Sequence, residues 1–310
     1  MIISASRRTD IPAFYSKWFM NRIREGYFHK VNPYNKNQVK GIDLSPDNVD
    51  AIVFWSKYPQ PMLKYLNELD DKGYNYYFQY TINDYPEILE PRIPKLDKRI
   101  ETFKKLSEKT SKKQVIWRYD PVIFSNITHI DFHLEKFEKI ASELQDYTFR
   151  VVISFLDIYG KTERKLNKLQ KEHDINFKDI VNYKEKLIKI SKKLKEIADN
   201  YKLQIESCGE TDNKSADIIK PGSCIDADLL NEVFNLNLKL KKDKGQRKQC
   251  LCATSEDMGS YDTCQFSCTY CYANNSIKAV KNKVEKHDPE SSVLIGECEK
   301  EFYKQDSLFN

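Results

Sequence analysis

The stretch AIVFWSKYPQPMLKYLNELDDKGYNYYFQYTI, residues 51–82, decides the fold. It begins with an apolar run at 51–55 and ends with a second run, rich in aromatic residues, at 76–82. Between the runs, prolines introduce a segment in which Leu63, Leu66 and Leu69 recur at helical spacing, and Gly73 can end that helix. The order strand, helix, strand predicts a βα unit followed by a parallel strand.

The same alternation continues on both sides of this stretch. Amphipathic segments separate further strand-like runs at 2–6, 115–117, 149–155 and 203–206. Six βα units in a row predict an α/β fold with a parallel sheet. Crossovers of one hand would curl that sheet into a (β/α)6 partial TIM-type barrel.

Cysteine usage and the βα rhythm together predict two domains. Residues 1–210 would form the barrel, and residues 211–310 a C-terminal cysteine-rich segment packed over the barrel mouth. Residues 28–44 interrupt the alternation and indicate an inserted loop or a small hairpin. Residues 235–249, rich in Lys, Asn and Gln, are typical of a linker or a mobile loop.

The composition limits the classes of partner. Hydrophobic residues make up 40% of the 310 residues, charged residues 31%, and the net charge is +5. This mildly basic balance permits nucleic acid as a partner but does not require it, because nucleic-acid binders usually concentrate basic residues in a patch. No apolar run approaches the length of a membrane span, and the start MIISASRRTD lacks a signal-peptide pattern. We therefore expect a cytoplasmic protein without a membrane partner, whose cysteines serve as metal ligands or redox centres rather than in disulfides.

Three cysteines form the motif Cys264-x3-Cys268-x2-Cys271. Three thiolates at this spacing can wrap one face of a four-iron cluster and leave the fourth iron open to chelate a small molecule. The aromatic side chain of Tyr270 can pack beside that molecule. The alternative is zinc, with Cys268-x2-Cys271 as one knuckle and Cys250-x-Cys252 as a poorer second half.

Four further cysteines precede the motif, and four thiolates complete a fully ligated cluster. They are Cys208, Cys224, Cys250 and Cys252. Their spacing is compatible with a second iron–sulfur cluster, with a structural zinc held by all four, or with two ligands and two bystanders. Cys298 is left over in the tail.

Polar residues gather where the predicted strands end, and these ends line the active site of parallel α/β folds. Arginine and lysine there suit carboxylate or phosphate groups of a cofactor or substrate, and acidic residues could orient ribose hydroxyls. Salt bridges between loops are the alternative role for each of these side chains. The candidate catalytic residues are Arg7, Arg8, Asp10, Lys57, Arg118, Asp120 and Glu206.

The motif CQFSCTYC at 264–271 resembles that of the radical S-adenosylmethionine superfamily, C-x3-C-x-aromatic-C, and matches it at every position. The resemblance implies a six-unit partial barrel and a four-iron cluster whose unique iron binds S-adenosylmethionine. It also implies reductive cleavage of the sulfonium to a 5′-deoxyadenosyl radical, which abstracts a substrate hydrogen. Tyr270 and Tyr272 are then the candidate contacts to the adenine, and flavodoxin or ferredoxin is the expected kind of electron donor.

The position of the motif departs from the superfamily pattern. Members usually carry it just after the first strand, whereas here it follows the sixth, so the chain looks circularly permuted. The whole chain also looks like an uncharacterised bacterial family with a C-terminal cysteine cluster. The segments that carry this second resemblance are SASRRTDIPAFY at 4–15, VFWSK at 53–57, WRYDP at 117–121 and CYAN at 271–274.

Together these features predict an iron–sulfur enzyme that cleaves S-adenosylmethionine and acts on a small-molecule or nucleotide substrate. It would hold one four-iron cluster, with the four upstream cysteines as a candidate second metal site. The alternative function is a zinc- or iron–sulfur-stabilised binding or electron-transfer protein without S-adenosylmethionine chemistry.

Overall fold

The computed structural model describes residues 1–33, 35–158, 160–210 and 214–298. In chain order, its strands are β1 Ile2–Ala5, β2 Tyr27–Asn32, β3 Asn35–Asp43, β4 Ala51–Ser56, β5 Tyr76–Thr81, β6 Val115–Val122, β7 Arg150–Phe155, β8 Gln204–Ser207 and β9 Glu256–Asp257. The α-helices are α1 Ile11–Phe14, α2 Ser16–Glu25, α3 Leu66–Asp71, α4 Leu96–Lys109, α5 Ile130–Leu144, α6 Gly160–His173, α7 Lys184–Asn200, α8 Ala227–Phe234 and α9 Ile277–Val284. Short 3₁₀-helices span Gln60–Tyr65 and Ile180–Asn182.

The chain divides into two compact units. The first unit comprises Met1–Tyr76, Ser255–Ser267 and Ala273–Asn310, and the second comprises Tyr77–Thr254 and Cys268–Tyr272. The predicted domain boundary at residues 210 and 211 falls inside the second unit. The segment that carries the cysteine motif contributes to both units.

The parallel sheet of the described residues has seven strands, β1 and β4 to β9. Within the first unit, the strand order is β4-β1-β9, and both pairings are parallel, with Ile3 opposite Ile52 and opposite Glu256. All four residues of β1 are buried, as expected for a strand flanked on both sides. Separately, β2 and β3 pair antiparallel, so the segment at 28–44, predicted as an inserted loop or a small hairpin, is a hairpin.

Within the second unit, the strand order is β8-β7-β6-β5, again with parallel pairings. The intervening helices bury aromatic side chains, since Trp117 of β6 stacks on Phe137 of α5 at 4.8 Å and Tyr80 of β5 stacks on Phe103 of α4 at 5.2 Å. The structure therefore confirms a mixed α/β fold built on a parallel sheet. Among the described residues, no helix combines the length and the apolar character needed to cross a membrane.

A buried histidine in the second unit has both ring nitrogens engaged. His133 Nε2 lies 2.8 Å from the carbonyl oxygen of Ile123, and Nδ1 lies 2.9 Å from the hydroxyl of Tyr119. A carbonyl oxygen can only accept, so Nε2 carries the proton and Nδ1 accepts from Tyr119. This arrangement holds the neutral imidazole, and burial lowers the pKa of His133 to about 4.

The pKa of His133 predicts an acid-sensitive stability. The unfolded chain binds this proton near pH 6.5, whereas the folded chain binds it only near pH 4, so stability falls as the pH falls between these values. The expected loss is about 3 kcal/mol in the free energy of unfolding. Urea unfolding at pH 7 and pH 4.5 measures it, and His133→Gln should flatten the pH dependence. His173 is exposed, so His173→Gln serves as the control and should keep the wild-type pH dependence of the free energy of unfolding. The same pH dependence in His133→Gln would show that His133 does not cause the loss of stability in acid.

Candidate metal centres

The last two cysteines of the motif lie on one tight turn in the second unit. The backbone nitrogen of Cys271 donates to the carbonyl oxygen of Cys268 at 3.1 Å. Cys268 is buried and Cys271 is half-buried. Lys165 Nζ donates to the Cys271 carbonyl at 2.7 Å, and the backbone nitrogen of Thr269 donates to the Leu89 carbonyl at 3.0 Å. These bonds fix the turn that presents the two thiols.

Tyr270, between these cysteines, is held by a buried carboxylate. Its hydroxyl donates to Glu90 Oε1, and its ring lies edge-on to Tyr85 with 6.0 Å between centroids. Burial, followed by the charge of Glu90, raises the pKa of Tyr270 well above its ordinary value, so the hydroxyl stays a donor. Arg99 Nη1 lies 4.0 Å from the other Glu90 oxygen. Tyr272, the second predicted adenine contact, is instead 52% exposed.

The first cysteine of the motif lies in the first unit, in a segment with its own supports. Asn274 Nδ2 donates to the Cys264 carbonyl at 2.7 Å, and the hydroxyl of Tyr15 donates to the Thr263 carbonyl at 2.7 Å. The ring of Phe266 packs on that of Phe14 with 4.6 Å between centroids. The backbone around Cys264 is thereby fastened to α1 and its C-terminal end.

The four upstream cysteines come together in the second unit, and we call them the upstream thiol group. Its members are Cys208, Cys224, Cys250 and Cys252. Cys224 Sγ donates to Cys208 Sγ at 3.2 Å. The side chain of Cys252 interacts in turn with those of Cys224 and Cys250. The eight cysteines form no disulfide.

The thiols of this group shift one another's titration. The hydrogen bond from Cys224 lowers the pKa of the Cys208 thiol, and the guanidinium of Arg118 lowers it further. The pKa of Cys224 is raised because its own proton makes that bond and because of its contact with Cys252. The pKa of Cys250 is also raised, first by its contact with Cys252 and then by burial. The hydrogen bond between Cys224 and Cys208 therefore favours the thiolate form at Cys208 over that at Cys224.

Two strands of the second unit supply polar side chains to this group. Arg118 of β6 donates from Nη1 to Cys224 Sγ at 2.8 Å and to Gln79 Oε1 at 3.2 Å. Gln79 of β5 and Tyr77 both donate to the carbonyl of Cys224, at 2.9 and 2.6 Å. Cys208 directly follows β8, and its nitrogen donates to the Ile153 carbonyl at 2.8 Å. The group therefore sits at the carboxyl end of β8, with a buried cation beside it.

The candidate catalytic residues of the second unit separate into two places. Arg118 joins the upstream thiol group, and its Nε donates to Asp120 Oδ2 at 3.1 Å, so these two predicted residues do lie together. Glu206 does not join them, because it faces Arg150, with 3.4 Å between Nη1 and Oε2. Burial raises the pKa of Glu206, and the charge of Arg150 opposes that rise.

In the first unit, Asp10 and Lys57 lie together, and Asp10 caps a helix. Its carboxylate accepts from the backbone nitrogens of Ala13 at 3.0 Å and of Lys57 at 2.7 Å. Burial raises the pKa of Asp10 to about 6 despite these bonds. The hydrogen bonds give Asp10 a structural role at the end of β1.

Arg7 and Arg8 rest against aromatic rings. The guanidinium carbon of Arg7 lies 6.0 Å from the ring centroid of Trp55, and that of Arg8 lies 5.3 Å from Tyr261. The backbone nitrogen of Arg7 donates to Asp257 Oδ2 at 3.0 Å, and Ser6 Oγ donates to the other oxygen at 2.7 Å. Each arginine thus has a fixed place beside the end of β1.

Sequence reasoning did not identify two of the buried carboxylates. Asp257 belongs to β9, which has only two residues and therefore no periodic pattern. Glu90 lies in a proline-bounded loop between β5 and α4, where no strand end marks it. The available sequence signal was closeness in the chain to the cysteine-rich segment. Only Asp257 has it, since Glu90 lies far from that segment in the sequence.

Among the described residues, no group of three or more His, Cys, Asp or Glu side chains has the arrangement of bound-metal ligands. The donor chemistry nevertheless suits a soft metal centre at both cysteine sets, because thiolates are the usual ligands of iron–sulfur clusters and of structural zinc. The upstream thiol group adds close contact between the sulfur atoms and a neighbouring guanidinium.

A family model described as "Domain of unknown function (DUF1848)" matches residues 2–273. The matched range contains both cysteine sets and leaves out Cys298. Neither the curated proteins nor the solved structures give a match.

Proposed function

We propose that the chain, which belongs to the DUF1848 family, is an iron–sulfur enzyme that reductively cleaves S-adenosylmethionine. The observation that carries the proposal is the complete motif Cys264-x3-Cys268-x-Tyr270-Cys271. The hydrogen-bonded turn from Cys268 to Cys271 supports it, because such a turn keeps two ligands of a cluster within a short length of backbone.

A four-iron cluster bound to the three motif thiolates would supply one electron to the sulfonium, releasing methionine and a 5′-deoxyadenosyl radical that takes hydrogen from a substrate. Cys264, Cys268 and Cys271 would hold it, and the missing fourth thiolate leaves room for S-adenosylmethionine. The electron would come from a donor such as flavodoxin or ferredoxin. A cluster of this kind needs a reducing compartment, so the proposal places the chain in the cytoplasm.

The surrounding residues would have defined tasks in this scheme. Glu90 would fix the ring of Tyr270 by accepting a hydrogen bond from its hydroxyl, so that the ring can flank the adenine. Lys165 and Asn274 would hold the carbonyls of Cys271 and Cys264, and so keep the cluster-binding loop in one conformation. Arg7 and Arg8 would pair with carboxylate or phosphate groups of the cofactor or the substrate.

The proposal extends to the fold. We infer that the parallel strands curl into the six-unit partial barrel of the radical S-adenosylmethionine superfamily, in circularly permuted order. The C-terminal segment would then deliver the cluster to the barrel mouth.

The experiment is anaerobic reconstitution with iron and sulfide, reduction with dithionite, and quantification of 5′-deoxyadenosine released from S-adenosylmethionine. We expect release that depends on both the reductant and the reconstituted cluster. A well-formed cluster that yields no 5′-deoxyadenosine would overturn the proposal. In that case the contact between the four upstream thiols favours the second candidate, a metal-stabilised binding or electron-transfer protein.

A further inference from the structure

We propose that the upstream thiol group binds a single zinc ion, which fastens the segment after α8 to the carboxyl end of the second unit's sheet. The site does not use the cysteines of the motif. The inference goes beyond the proposed function and does not depend on it. The four ligands would be Cys208, Cys224, Cys250 and Cys252.

The close contact of the sulfur atoms favours a mononuclear site over a cluster. Cys224 Sγ lies 3.2 Å from Cys208 Sγ, and Cys252 contacts both Cys224 and Cys250. Zinc–sulfur bonds of about 2.3 Å in a tetrahedron place neighbouring sulfurs about 3.8 Å apart. Cys208 and Cys224 therefore need to separate by only about half an ångström to bind one ion. A four-iron cluster would spread them much further, because each thiolate binds a different corner.

The burial of the group matches a structural zinc site. Such sites are closed, with four protein ligands and no position left for water or substrate. Three of the four members, Cys224, Cys250 and Cys252, are buried, with exposed fractions of 1%, 8% and 3%, and Cys208 is half-buried. Cys250 and Cys252 are separated by a single residue, closer than in most zinc knuckles, yet their side chains are in contact.

A buried guanidinium, which Asp120 also contacts, lies beside the site and reduces the negative charge that the site carries. Four thiolates around Zn²⁺ leave two net negative charges, which are costly in a buried place unless they are paired. Arg118 Nη1 lies 2.8 Å from Cys224 Sγ, and Arg118 is 4% exposed. Metal-bound thiolates usually accept such outer hydrogen bonds, which orient the ligand.

The backbone around the ligands indicates what the ion would stabilise. Residues 235–254 contain no helix and no extended strand; an isolated antiparallel bridge between Lys242 and Ala253 holds them, with the Asp243 nitrogen donating to the Cys252 carbonyl at 2.9 Å. Cys250 and Cys252 belong to this segment, whereas Cys208 follows β8 directly. An ion shared among them would join an irregular segment to the sheet, as structural zinc does in small domains.

The test uses a chain in which the motif can bind nothing, Cys264→Ala/Cys268→Ala/Cys271→Ala, purified with zinc under reducing conditions. We expect about one zinc per chain and no acid-labile sulfide, and Co²⁺ in its place should give the visible absorption of a tetrahedral tetrathiolate site. Adding Cys252→Ala should remove most of the zinc, while adding Cys298→Ala should not. Iron with sulfide in the triple variant, or folded protein without any metal, would overturn the proposal.

A second measurement keeps the proposal falsifiable if the triple variant fails to fold. The wild-type chain, reconstituted with iron and sulfide in the presence of zinc, should contain about four irons and one zinc. About eight irons without zinc would overturn it. Because zinc content is the readout, failure of S-adenosylmethionine cleavage leaves this result unaffected.

Discussion

Cys268→Ala is expected to reduce the release of 5′-deoxyadenosine to the level measured without protein. In the proposed function three thiolates hold the cluster, and its fourth iron must stay open for S-adenosylmethionine. Loss of one thiolate leaves two irons without protein ligands, and the cluster dissociates. Cys268 is the buried member of the motif, so water and solutes reach the vacated position poorly as replacement ligands. The measurement is 5′-deoxyadenosine by liquid chromatography after anaerobic reconstitution, with iron and sulfide content determined on the same sample.

The matched control for this substitution is Cys298→Ala. Cys298 lies outside the motif and outside the range matched by the family model, so its removal should leave both the iron content and product release unchanged. Circular dichroism establishes that both variants are folded. Cleavage retained by Cys268→Ala at the wild-type rate would show that the motif does not hold the reactive cluster. Loss of cleavage in both variants would point to damage of the fold instead.

The sequence predicted the sheet well because its strands are bounded by clear signals. Apolar runs such as 51–55 end at prolines and glycines, and the structure places a strand or helix close to each predicted position. The amphipathic pattern between the runs at 149–155 and 203–206 did not mark α6 as a separate helix. Of its fourteen residues only Thr162, Leu166 and Leu169 are buried, so the apolar stripe is too thin to stand out among charged side chains.

The candidate sites were predictable in identity but not in arrangement. Cysteine spacing predicts two candidate metal-ligand sets, because few other roles would explain clustered thiols in a reducing compartment. The distribution of the cysteines between two compact units follows from the tertiary fold. The contact of Arg118 with Cys224 joins residues that are 106 positions apart in the chain, so no local pattern indicates it. Glu206 was predicted to face a ligand, but its partner Arg150 lies on the neighbouring strand β7, and no local pattern indicates that pairing.

Arg150→Met is expected to lower the free energy of unfolding by about 3–5 kcal/mol, because it removes the cation from a buried ion-pair network. Arg150 Nη1 lies 2.7 Å from Asp226 Oδ2 and 3.4 Å from Glu206 Oε2, and all three side chains are largely buried. Without the guanidinium, two carboxylates face each other in a place where burial already raises the pKa of Glu206. Asp226 also caps α8 through the nitrogens of Asp228 and Leu229, so its displacement would loosen that helix.

The same substitution at an exposed pair gives the control. Arg24 Nη2 lies 2.6 Å from Glu68 Oε2, a shorter separation than either contact of Arg150, but these side chains are 43% and 31% exposed. Water screens that pair, so Arg24→Met should cost only about 0–1 kcal/mol. Urea unfolding of both variants at pH 7 makes the comparison. Equal losses of unfolding free energy would mean that burial does not set the strength of these pairs. We expect a difference because the carboxylate left behind by Arg24→Met stays hydrated, whereas the carboxylates left behind by Arg150→Met do not.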